Sequence, residues 1–143
     1  MKAFLMTILL SYALIASNAL EEAEKLGVES DYVTAFAKAK KEKKMLVMVI
    51  VKENCRWCEK LVNKTLSEET VKKKLENYIT VIVDKDDDFP SAFKENFFPS
   101  IFYIDYDTEK SVYSNVGYVG KPCFLNDLNS SLEVRDTLHS DEN

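Results

Sequence analysis

Hydrophobic positions fall into blocks whose spacing alternates between continuous and helical. Residues 45–51 are seven apolar positions in a row, as expected of a strand buried on both faces in the middle of a sheet. Residues 79–83 form a second buried run and residues 100–104 a third. A polar turn at 105–110 then leads into residues 111–116, which predicts an antiparallel hairpin. Between the runs the period lengthens. Val33, Phe36 and Ala37 line one side of residues 31–43 with lysines on the other, an amphipathic helix capped by Ser30 or Asp31. From Arg56 onward, Cys58, Leu61, Val62, Thr65 and Leu66 share one helical face.

The remaining punctuation is equally local. Ser67, Glu68 and Glu69 restart a helix with Val71 and Leu75 inward, since acids in a first turn offset the helix dipole. Pro90 begins a short helix to about Asn96, and Pro122 opens a last one with Phe124, Leu125, Leu128 and Leu132 inside. Beyond Val134 the pattern turns polar, and residues 135–143 are expected to be a frayed tail. The predicted order is helix, strand, helix, helix, strand, helix, strand, strand, helix. Such an order describes one α/β domain with a central mixed sheet covered on both faces.

The first nineteen residues stand apart. Lys2 precedes an apolar stretch over residues 3–16, and Ser17 and Ala19 put small residues where a signal peptidase reads. The apolar stretch is short for a membrane span, so a cleaved secretory signal over residues 1–19 is expected, with an uncleaved anchor or a buried N-terminal helix as the alternatives. The folded domain then covers residues 20–134, in a periplasm or another secretory compartment.

Composition narrows the function classes. The 143 residues are 46% hydrophobic and 30% charged with only 3 Gly and 3 Pro, which excludes a linker or disordered chain. A net charge of -5 argues against a duplex nucleic-acid partner, which needs a basic footprint, and the lysines of residues 38–44 read as a solvated helix face. A soluble monomer is expected.

Export gives the 3 cysteines a meaning, because thiols outside the cytosol are oxidised unless maintained. An odd set leaves at least one unpaired within the chain. Cys55 and Cys58 frame Arg56 and Trp57 where a buried strand hands over to a helix. Cys55 sits at the helix N-terminus, where free backbone N–H groups favour a thiolate; Cys58 sits one turn on, on the apolar face. This predicts Cys55 as nucleophile and Cys58 as resolving thiol. Arg56 and Lys52 should favour the Cys55 thiolate, while Glu53 and Glu59 oppose it. Cys123, after Pro122, reads as a partly buried small apolar residue. No metal or cofactor is expected, since zinc would need two further ligands and only Cys123 and His139 remain, without ligand spacing. Two other readings of the pair stay open: a structural disulfide in a non-catalytic binding module, and a thiolate pair for soft Cu(I) in a metal chaperone.

Over about residues 32–132 the chain resembles the thioredoxin superfamily, and most of all its exported members, such as the periplasmic thioredoxin-like partners of sulfur oxidation and cytochrome maturation. The resemblance rests on the apolar run at 45–51, on Cys55-Arg56-Trp57-Cys58, on Phe98-Pro99-Ser100 entering the third strand, and on Gly117-Tyr118 before the last helix. It implies a thioredoxin-like three-layer fold and thiol–disulfide exchange with proteins bearing disulfides or thiols, as a reductant or isomerase-like partner fed by a membrane electron donor. It also implies a cis peptide bond before Pro99 facing the cysteines, and a substrate surface at Trp57, Phe98 and Pro99. The chain departs from thioredoxins proper at Asn54, where they have Trp, at Arg56-Trp57, where they have Gly-Pro, and at Val49, where they bury an Asp.

Overall fold

The computed structural model describes residues 18–142, so residues 1–17 of the expected leader lie outside the described residues. Six elements build the first half: α1 (Asn18–Leu26), α2 (Tyr32–Glu42), β1 (Leu46–Val51), α3 (Arg56–Leu61), a π-helical turn (Val62–Leu66) and α4 (Glu69–Leu75). The second half consists of β2 (Ile79–Asp84), a short 3₁₀ turn (Ser91–Phe93), β3 (Ser100–Ile104), β4 (Ser111–Val116) and α5 (Lys121–Leu138), followed by a 3₁₀ turn (Ser140–Glu142).

The four strands lie in the order β2-β1-β3-β4. β1 pairs in parallel with β2, with Val49 opposite Ile82, and antiparallel with β3, with Val49 opposite Ile101. β3 and β4 make the expected hairpin. Every residue of β1 is buried, which is what two neighbouring strands and two covered faces require of it. Alternate side chains go to opposite cores. Val47, Val49 and Val51 join Ile82, Ile101 and Tyr103 beneath α1, α3, α4 and α5. Leu46, Met48 and Ile50 join Val81, Phe102 and Ile104 beneath α2 and the Ser91–Phe93 turn. The sequence therefore yields the mixed sheet with helices on both faces that its pattern predicts.

Four local expectations need correcting. α1 is absent from the predicted order because it overlaps the end of the apolar leader, yet Ala19 and Ala23 are buried in the first core, so a buried helix does begin at the leader's end. The inner face of α2 is Tyr32, Ala35 and Ala39, one position off the expected stripe; Val33 is 66% exposed and Ala37 is exposed, while Phe36 is half-buried. The register follows Tyr32, whose ring stacks on Phe36 and whose hydroxyl donates to Glu109 at 2.9 Å. The helix expected to Asn96 is only the single turn Ser91–Phe93. Last, α5 runs to Leu138 instead of ending at Val134, because His139 beyond it is held in the structure: its ring stacks on Tyr106 at 4.5 Å and its Nε2 lies 2.6 Å from Asp105 Oδ1.

Candidate functional site

The pair Cys55 and Cys58 stands at the C-terminal end of β1, and the turn that delivers it is dictated locally. Asn54 adopts φ +53, a left-handed conformation that Asn tolerates better than most residues, and so redirects the chain from strand to helix. Cys55 is then extended at φ -111 and ψ 95 and caps α3 with its own sulfur, which accepts the Cys58 N–H at 3.2 Å. The two cysteines are joined in a disulfide with Cα atoms 5.2 Å apart. Both are buried, Cys58 at 1% exposure and Cys55 at 5%.

Beneath the sulfurs, Cys58 packs in the same core as Val49, Leu61 and Val62. β1 carries no acid, so no carboxylate from this strand reaches the buried sulfur. The helix continues through the π turn, where Thr65 is fully buried and its hydroxyl donates to the Val119 carbonyl at 2.7 Å. One hydrogen bond thus ties the cysteine-bearing helix to the loop ahead of α5.

Across from the disulfide lies the segment before β3. The Phe98–Pro99 peptide bond is cis, as the resemblance implied, and Cys55 Sγ is 3.9 Å from the Phe98 carbonyl oxygen. The Pro99 carbonyl accepts the Gly117 N–H at 2.7 Å, and Ser100 Oγ donates to the Phe97 carbonyl at 2.6 Å, so both sides of Phe98 are pinned. No backbone hydrogen bond among the described residues engages the Phe98 N–H or carbonyl. A polar backbone unit therefore stands open beside the sulfurs.

Trp57 is 46% exposed, with its ring 6.1 Å from that of Tyr118. Arg56 lies over the indole at 4.9 Å, and Lys60 lies over both rings, at 5.0 Å from Trp57 and 4.5 Å from Tyr118. Lys52 sits 5.9 Å from the Phe98 ring. Glu53 and Glu59 are exposed and contact neither sulfur through any hydrogen bond among the described residues. The structure thus gathers Cys55, Cys58, Arg56, Trp57, Phe98 and Pro99 at one end of the sheet. It adds three residues the sequence reading did not place there: Tyr118, Lys60 and the 70% exposed Phe97. Lys60 had a readable signal, a cation three positions after an indole on one helix. Tyr118 stands out in the sequence only as part of the Gly117-Tyr118 pair, and it is the fold that brings it across to Trp57.

Cys123 is a free and exposed thiol, contrary to the partly buried position expected. The inner stripe of α5 starts at Phe124 and continues through Asp127, Leu128 and Ser131, which turns Cys123 outward. Among the described residues no three His, Cys, Asp or Glu side chains come together as a ligand set for a metal. No described helix is long and apolar enough to cross a membrane.

No family profile and no curated protein matches the sequence. Solved structures do match. A thioredoxin from Thermus thermophilus superposes with a TM-score of 0.63 at 20% identity, over 72% of this chain and 85% of that one. The oxidised C-terminal domain of DsbD from Neisseria meningitidis gives 0.55 at 16% identity, over 73% and 98%. The periplasmic thioredoxin SoxS from Paracoccus pantotrophus, in its reduced form, gives 0.52 at 15% identity, over 63% and 97%. The shared property is the thioredoxin fold.

Proposed function

We propose that this thioredoxin-fold chain is a thiol–disulfide oxidoreductase, exported from the cytoplasm, whose working pair is Cys55 and Cys58. The observation that carries the reading is the placement of the disulfide. It caps α3 at the end of the central strand, with a backbone donor on one sulfur and the open Phe98 backbone 3.9 Å away. A disulfide serving only to brace the fold gains little from closing so short a loop, since stabilisation grows with loop length.

In the reduced state, the Cys58 N–H that now reaches Cys55 Sγ would favour negative charge on that sulfur. The Cys55 thiolate attacks one sulfur of a substrate disulfide and forms a mixed disulfide while the other substrate sulfur leaves as thiolate. Cys58 then loses its proton to solvent and attacks Cys55 Sγ, releasing the second substrate thiolate. Two electrons pass from the cysteine pair to the substrate, and reversal of the steps oxidises a dithiol. An extended substrate segment would pair with the Phe98 backbone while lying against Trp57 and Pro99.

Reduction of a protein disulfide by dithiothreitol, with and without the protein, tests the activity. Acceleration that is lost in both Cys55→Ser and Cys58→Ser supports it, and no acceleration overturns it. The address rests on the pattern of residues 1–19 and is in keeping with the SoxS neighbour, described as periplasmic. Protein recovered from its host should begin near Leu20; an intact Met1 would replace secretion with anchoring.

A further inference from the structure

The cations around the disulfide are held by aromatic rings. Several other surface cations meet carboxylates, as Lys38 does at 3.0 Å from Glu29 and Lys121 at 3.4 Å from Glu68, while Lys40 and Lys94 lie over Phe36 and Phe89. Beside the disulfide, Arg56, Lys60 and Lys52 have no carboxylate within 4 Å among the described residues. Each lies over an aromatic ring instead. The acids nearest in sequence, Glu53 and Glu59, are exposed and take part in none of these contacts.

A ring positions a cation without neutralising it, because the attraction is to a quadrupole and leaves the outer side of the charge open. Trp57 and Tyr118 therefore hold Lys60, and Trp57 holds Arg56, as fixed charges with an unused side. A carboxylate can join them without displacing any partner within the chain. The apolar side of the same rim is exposed as well, at Trp57 and Phe97, and the Phe98 backbone is open. Together these offer a substrate segment a main-chain partner, aromatic surface and positive charge, all beside the reacting sulfurs.

We propose that Cys55 and Cys58 exchange preferentially with polypeptide segments whose cysteine is flanked by acidic side chains, which Arg56 and Lys60 receive on the Trp57–Tyr118 platform. The inference rests on the oxidoreductase reading above and adds the substrate class to it. The net charge of -5 repels an acidic segment at long range, so the preference arises from contact and is read as a ratio between peptides.

The test uses the chain pre-reduced with dithiothreitol and then freed of it. Three fluorogenic peptides, each closed by one disulfide, differ only in residues beside the cysteines: Asp and Glu, Ser and Gln, or Lys and Arg. Second-order rate constants for peptide reduction are measured at low salt and in about 0.5 M NaCl, where screening shortens the reach of exposed charges. The acidic peptide should react on the order of fivefold faster than the basic one at low salt. High salt should shrink that ratio, Arg56→Glu with Lys60→Glu should invert it, and Lys60→Arg should retain it. Equal rates for all three peptides, or a ratio untouched by the double charge reversal, overturn the substrate preference alone. Reduction of none of them overturns the oxidoreductase reading and the preference with it.

Discussion

The Cys58 backbone N–H donates to Cys55 Sγ at 3.2 Å, so the first turn of α3 closes on the sulfur that caps it. The same bond distinguishes the two cysteines, since Cys55 has a donor aimed at it and Cys58 lies at 1% exposure in the apolar core. The pair should therefore divide its labour. Cys58→Ser should accumulate covalent complexes with client proteins on non-reducing gels, and Cys55→Ser should accumulate almost none. The reverse pattern would exchange the two roles.

Thr65 and Val119 supply the second prediction. The Thr65 hydroxyl is the partner of the Val119 carbonyl, and Thr65 is wholly buried. Thr65→Val keeps the shape and leaves that carbonyl unpaired, which should cost about 1–2 kcal/mol in urea unfolding. Because the bond also fixes the loop carrying Tyr118, peptide reduction by the variant should slow as well.

Asp105 sets an acid limit. Its carboxylate has no exposed surface, and burial alone would raise its pKa. Hydrogen bonds from His139 and from the backbone and hydroxyl of Thr108 outweigh that and hold it below the usual value. A group with a depressed folded-state pKa contributes stability above its unfolded value, about 3.9, and that contribution is lost as pH falls below it. Urea midpoints should therefore drop between about pH 4 and the lower folded value in the wild type, and less steeply in Asp105→Asn. At neutral pH, Asp105→Ala should cost about 2 kcal/mol, since it leaves the Thr108 N–H without its acceptor.

The register of α2 can be checked by a contrasting pair. Val33→Lys should shift stability by less than about 0.5 kcal/mol, as a substitution on an exposed position does. Ala35→Leu should cost about 1–3 kcal/mol, because Ala35 is fully buried against the sheet and extra methyl groups have nowhere to go. Thermal denaturation of both variants is sufficient; equal effects would return the helix to the stripe of Val33 and Ala37.

Legibility from sequence followed how local each cause is. β3 and β4 appear at the residues their apolar and turn patterns predict, and β2 is longer by Asp84 alone. The cysteine pair at the strand–helix junction was equally readable, because both neighbours announce themselves within a few residues. The stripe of α2 was not. Alanines at 35, 37 and 39 look alike until Tyr32 finds Glu109, seventy-seven residues away. The end of α5 escaped for the same reason, with His139 meeting Asp105 across thirty-four positions. At the site, Cys55, Trp57 and Pro99 could be named in advance. Tyr118 enters only through the loop that Thr65 ties down.

Trp57 is the chain's 1 tryptophan, and it stands within the Cys-x-x-Cys motif. All indole fluorescence of this protein therefore originates beside the disulfide, under two cations and against the Tyr118 ring. Opening or closing the sulfur bridge, or seating a peptide on the platform, alters the surroundings of the only indole. The molecule carries its own optical gauge, and titrating it against a thiol–disulfide buffer would read its redox poise with no label attached.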